Sequence, residues 1–131
     1  MLQLNSLAIV VAAVAAFVVS SVWYTIFGKT VAVARGEAAS DTGRMPVWKL
    51  LVELVRSLVV ATVLAGLCVK LGASSVAAAM LLGFVLWVGF PLVLWTGAII
   101  WENVPVKLAA IHAGDWLAKL VLVAAIVGVW R

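Results

Sequence analysis

Residues 106–130 read VKLAAIHAGDWLAKLVLVAAIVGVW, a run long enough to cross a bilayer yet interrupted by His112, Asp115 and Lys119. A hydrocarbon core about 30 Å thick is spanned by about 20 helical residues rising about 1.5 Å each. The segment therefore reads as a transmembrane helix whose three polar side chains need partners inside protein, because acyl chains offer none.

The composition around it agrees. Of 131 residues, 67% are hydrophobic and 11% are charged, and the mean hydropathy is +1.29. Soluble domains average about 45–50% apolar and about 25% charged residues. Lipid is the implied solvent and partner. The net charge of +4 is carried by few residues and reads as a membrane orientation signal, not a nucleic-acid footprint.

Working back towards the N-terminus, three more segments qualify as spans, at about 4–27, 47–71 and 75–101, so the expected fold is an all-α membrane protein, one domain over 1–131 with four helices in a bundle. The first segment lacks a basic leader and is too long for a signal-peptide core, so it is expected to be retained. The third carries Pro91 after Gly89 and Phe90, which predicts a kink. Ser75 is placed to cap its start, and Pro105 sits where the fourth begins. Residues 28–46 form the long polar loop, with one short interfacial turn or helix expected around 30–35. The entries Pro46-Val47-Trp48-Lys49-Leu50 and Pro105-Val106-Lys107-Leu108 hint at a parallel internal repeat, but only over a few residues.

Lys29, Arg35, Arg44, Lys49 and Lys107 fall at one side of these spans, and Lys70 and Arg131 at the other. The positive-inside rule then predicts the first group in the cytoplasm and both termini on the outer side. Trp23, Tyr24, Trp48 and Trp101 are expected at the inner boundary and Trp130 at the outer one, as interfacial aromatics. Trp87 and Trp95 lie deeper and are expected between helices.

Small residues mark helix contacts. Ala8, Ala12, Ala16 and Ser20 recur every four positions in the first span, and Ala110, Gly114 and Ala118 form a similar row in the fourth. At about 100° per residue the fourth span's other face gathers His112, Asp115 and Lys119 within about 60° of arc. The second span carries Lys49, Glu53, Arg56 and Ser57 on one side. Glu53 and His112 lie at equal depth, as do Arg56 and Asp115, which predicts two rungs, Glu53 with His112 and Arg56 with Asp115, leaving Lys119 to Asp115 one turn before it. Asn5, near the outer end, is expected to bond across helices or to face the interface.

Two uses of such a network stay open. It locks the bundle or a homo-oligomer, or it serves a transporter of protons, ions or small molecules as a relay using Glu53, Arg56, His112 and Asp115, since histidine titrates near neutrality and intramembrane ionisable groups often mark pathways. No cofactor is implied. The single Cys68 excludes an intrachain disulfide and reads as a small apolar residue. Zinc finds too few ligands, and a bis-histidine haem would need His112 from two subunits. Neither a Ser-His-Asp set nor a pair of catalytic carboxylates is visible, and Gly83, Gly89 and Gly97 are spread along a helix rather than gathered in a phosphate loop. The expectation is a self-associating scaffold or accessory subunit, not an enzyme.

The stretches NSLAIVVAAVAAF (5–17), WYTIFGK (23–29), WENVPVKL (101–108) and IHAGDWL (111–117) occur in that order. In this they resemble a family of small bacterial membrane proteins catalogued as domain of unknown function 1761. The resemblance implies four transmembrane helices and no assigned activity. It also implies asparagine more often than histidine at the position of His112, which counts against histidine titration as a shared mechanism.

Overall fold

The computed structural model describes residues 4–34 and 46–130. Five helices account for them: α1 (Ser6–Ala34), α2 (Val47–Lys70), α3 (Val76–Gly89), α4 (Pro91–Trp101) and α5 (Val106–Val129). The described residues contain no strand. α3 and α4 run on as one candidate span, so four helical segments are long and apolar enough to cross a membrane.

The junction between α3 and α4 follows from Pro91. Its ring removes the N–H that would bond to Trp87, and Phe90 before it leaves helical geometry at φ −124°, ψ −76°. The chain resumes with Pro91 at the first helical position, where no N–H is needed.

Helix ends are resolved locally. Ser75 Oγ accepts from the Ala78 N–H at 3.1 Å and caps α3. Asn5, expected across helices or at the interface, instead caps its own helix, its Oδ1 accepting from the Ala8 N–H at 3.2 Å. α2 closes in a Schellman motif: Gly72 adopts φ +70°, its N–H bonds to the Val69 carbonyl, and the Ala73 N–H reaches back to Cys68. Asn103, at φ 56°, turns the chain from α4 into α5, a left-handed conformation that Asn tolerates well.

α1 overruns its expected end. Residues 28–34, placed from sequence in a loop with one short turn or helix around 30–35, continue α1 without a break to Ala34, and at about 1.5 Å per residue α1 exceeds the hydrocarbon thickness. Gly28 disfavours helix by only about 1 kcal/mol. Packing overrides it, because Val31 is buried with Leu108 and Ile111 of α5 against Trp23, Tyr24 and Phe27. Arg35 and Arg44 lie outside the described residues, as does Arg131.

α5 is the hub and packs against each of the other four helices. Its most apolar window is 44% buried, against 28% for α1, 22% for α2 and 17% for α3–α4. The other helices turn Val, Leu, Ile and Phe side chains outward along their lengths, as lipid solvation requires. One end of the bundle gathers Leu4, Asn5, Val69 and Trp130 around a shared cleft. The opposite end brings Lys29 and Val33 of α1 to Pro105 and Lys107. Both described chain ends therefore lie at the same end of the bundle.

Close packing rests on small residues. Ala8, Ala12 and Ala16 are each at most 1% exposed on the side of α1 that meets α2 and α5. α3 approaches α5 most tightly: a Cβ on Gly83 would sit 2.6 Å from the Leu120 carbonyl oxygen, and one on Gly128 2.3 Å from Ala79 Cβ. The pairs Ala79/Gly83 and Ala124/Gly128 each have small-xxx-small spacing and carry this contact. The row Ala110, Gly114, Ala118 does not. Ala110 is exposed, and Gly114 instead makes room for the Trp23 indole, whose Cζ2 lies 2.6 Å from where a Cβ would stand.

Candidate functional site

The polar stripe of α5 faces α1. Counting about 1.5 Å per residue from Val106, His112 lies about 9 Å, Asp115 about 13 Å and Lys119 about 20 Å along the helix. Asp115 is therefore near the middle of the span, and it is 2% exposed.

Its carboxylate is held from two sides. Lys119 Nζ stands 3.0 Å from Oδ2, and the Ser20 hydroxyl of α1 donates to Oδ1 at 2.7 Å. The i, i+4 spacing places Lys119 over Asp115 on one helix face. Ser20 arrives there because it continues the alanine ladder: Ala8, Ala12 and Ala16 bring the α1 backbone close, and the next residue of the row offers a hydroxyl instead of a methyl. Lys119, itself 7% exposed, also has its ammonium 4.6 Å from the Trp116 ring centroid, within cation–π range.

One turn nearer the α5 start, an aromatic collar surrounds residues 111–113. The Trp23 indole donates to the Ile111 carbonyl at 2.9 Å, and the Trp87 indole donates to the Ala113 carbonyl at 2.8 Å. Helix carbonyls keep a second lone pair, so these bonds add to the backbone ladder without replacing it. Between them, the Tyr24 hydroxyl lies 2.6 Å from His112 Nδ1, and Trp95 of α4 stacks on the imidazole at 4.7 Å and 14°. Trp95 lies one turn beyond the Pro91 break, near the start of α4. Trp23 and Tyr24 are half-buried against α5. Trp48, Trp101 and Trp130 remain outward at 62%, 83% and 41% exposure.

The expected rungs do not form. Glu53 and Arg56 pair with each other across one turn of α2, with their side chains 39% and 55% exposed. Depth matching could not reveal this, since α2 turns Ser57, Ala61, Leu64 and Cys68 inward and leaves Arg56 to the outside. His112 and Asp115 point to α1 instead. The network thus divides into two: an inner seam in which Asp115 and Lys119 are buried and Ser20, Tyr24 and His112 half-buried, and an outer ion pair on α2. Among the described residues, no three His, Cys, Asp or Glu side chains converge as a metal site would require.

Sequence reasoning missed the α1 contribution to the site. The signal was present, because Tyr24 extends the row of Ala8, Ala12, Ala16 and Ser20 by another four residues.

No curated protein and no solved structure matches the chain. A family profile, described as "Protein of unknown function (DUF1761)", matches residues 7–128. That span holds the four apolar segments but for Ser6 and Val129 at their outer ends, with every residue of the seam and collar, and on this match the chain is a member of the DUF1761 family.

Proposed function

We propose that this protein is a non-enzymatic, self-associating membrane subunit in which the α1–α5 seam is a structural lock. The observation that carries this reading is the closed coordination of Asp115, whose two oxygens are taken by Lys119 and Ser20 in a nearly fully buried setting. A carboxylate and an ammonium neutralising each other at mid-span tether two helices for which lipid supplies no hydrophobic drive to associate. The aromatic collar fixes the same helices one turn away. Lys29 and Lys107 at one end of the bundle, with Lys49 at the start of α2, support an orientation with that end in the cytoplasm of a bacterium and both termini outside.

The Tyr24–His112 contact supports a second reading, a proton or small-ion relay, now confined to Tyr24, His112 and Asp115 because Glu53 and Arg56 lie elsewhere. Reconstituted vesicles under an imposed pH gradient separate the two. The lock predicts no flux above empty vesicles and an unchanged baseline for His112→Asn. Flux in the unaltered protein that disappears in His112→Asn, with folding and yield preserved, would establish the relay instead.

A further inference from the structure

The Glu53–Arg56 pair lies within a span yet on its outer side. Lys49 and Lys70 sit near the two ends of α2 and are about 31 Å apart along its axis at about 1.5 Å per residue, the thickness of the hydrocarbon core. Glu53 is thus about 6 Å and Arg56 about 10 Å inside the boundary that Lys49 marks. Both charged side chains are substantially exposed, while Val52, Val55, Val59 and Val63 are exposed around them. The seam on α5 satisfies its own charges, so this pair is not needed there.

Its position along α2 is regular. Lys49, Glu53, Arg56, Val60, Val63, Leu67 and Lys70 follow one another at alternating spacings of four and three, the a/d rhythm of a helix seam that pairs with another helix. None of the seven is fully buried by the rest of the chain. The run has charge at both ends, an acid and a base in adjacent layers, then Val60, Val63 and Leu67.

We propose that this stripe is the surface on which the protein self-associates, α2 pairing in parallel with α2 of a second copy around a two-fold axis along the membrane normal. The inference deepens the self-association reading by naming its face. The charge pattern selects a second copy of this chain. Helical side chains tilt towards the helix N-terminus, so Arg56 reaches down into the Glu53 layer, where it meets its own carboxylate and that of Glu53 of the partner subunit. The four charges sum to zero and turn away from acyl chains, as an isologous contact requires. Val60, Val63 and Leu67 supply the apolar layers above, and the charged layers fix the register.

The test uses full-length protein in phosphatidylcholine–phosphatidylglycerol vesicles, with Cys68→Ala as background. Val63→Cys is expected to form a disulfide-linked dimer on mild oxidation, whereas Val55→Cys, about a third of a turn round the helix from the seam, is not. Glu53→Arg or Arg56→Glu alone should weaken dimerisation by about tenfold or more, equivalent to about 1.4 kcal/mol. The double swap, Glu53→Arg with Arg56→Glu, should restore it. Helix content by circular dichroism confirms that each variant still folds. Single reversals that leave Val63→Cys cross-linking unchanged overturn the proposal. So does energy transfer between labelled copies without Val63→Cys cross-linking, which leaves self-association standing on another face. A monomer throughout, with Arg56 merely reaching lipid headgroups, overturns both the surface and the self-association reading.

Discussion

Two ion pairs of similar sequence spacing lie within the spans of this bundle, Asp115–Lys119 deeper than Glu53–Arg56, and meet opposite surroundings. Asp115–Lys119 on α5 is almost fully enclosed, while Glu53–Arg56 on α2 has side chains 39% and 55% exposed. The contrast lies in which face of each helix meets its neighbours. α5 touches every other helix, and both Asp115 and Lys119 fall on its enclosed side. α2 buries Ser57, Ala61, Leu64, Ala65 and Cys68 on one side and leaves its charged stripe outside. An enclosed pair binds a chain to itself, and an exposed pair inside a membrane is available to bind something else.

The comparison is most easily broken at Asp115. Asp115→Ala leaves Lys119 buried without its counter-charge, and losing one partner of a buried pair costs about 3–5 kcal/mol. The expected loss is about 3 kcal/mol, at the low end because helices separated within the membrane also find polar partners. Denaturant-driven unfolding in mixed micelles measures it. A loss below about 1 kcal/mol would place Asp115 and Glu53 in the same class and dissolve the contrast.

The backbone approach that encloses α5 comes next. Gly83→Ala puts a methyl 2.6 Å from the Leu120 carbonyl oxygen, where only backbone can yield, and overpacking of this kind costs about 1–3 kcal/mol. Gly97→Ala, with open space around its added Cβ, should leave the same unfolding midpoint unchanged or slightly raised.

Ser20→Ala removes the only hydroxyl contributed from α1 to Asp115 among the described bonds. Interhelical hydrogen bonds in membranes average about 0.6 kcal/mol and reach about 1.7 kcal/mol. About 1 kcal/mol is expected here because the acceptor is ionised. Tyr24→Phe tests the adjoining contact with His112 by the same measurement, with about 0.6 kcal/mol expected.

The smallest effect sharpens the comparison from the other side. Arg56→Gln should change the stability of the single chain by no more than about 0.5 kcal/mol, as exposed pairs do, when unfolding is followed at protein dilutions where copies are separated. A larger loss would mean that α2 uses Arg56 within its own bundle.

Much of this architecture is legible in the sequence because its causes are local. Hydropathy marks the spans, Pro91 the break, Ser75 a cap and Pro105 a start, each decided by chemistry within one turn. Asp115 and Lys119 share a face by spacing alone. What stays hidden depends on rotation about helix axes. Equal depth made Glu53–His112 and Arg56–Asp115 plausible rungs, yet α2 is turned so that Arg56 faces outward while His112 and Asp115 meet α1. The small-residue rows were equally ambiguous. Ala110, Gly114 and Ala118 look as suitable for a backbone approach as Ala124 and Gly128, and only the position of α3 distinguishes them. The extension of α1 past Gly28 likewise depends on Val31 finding Leu108 and Ile111, residues more than seventy positions away in the chain.

The central claim is that Asp115 and Lys119 neutralise each other as a lock, and a double-mutant cycle on this pair tests it most directly. Unfolding free energies of Asp115→Leu, Lys119→Met and the double variant would be measured in one lipid–detergent mixture. The account predicts large losses for both single variants and a double variant close to the unaltered protein, since apolar replacement of a whole buried pair is often neutral or stabilising. Losses that simply add, or single variants as stable as the unaltered chain, would contradict it.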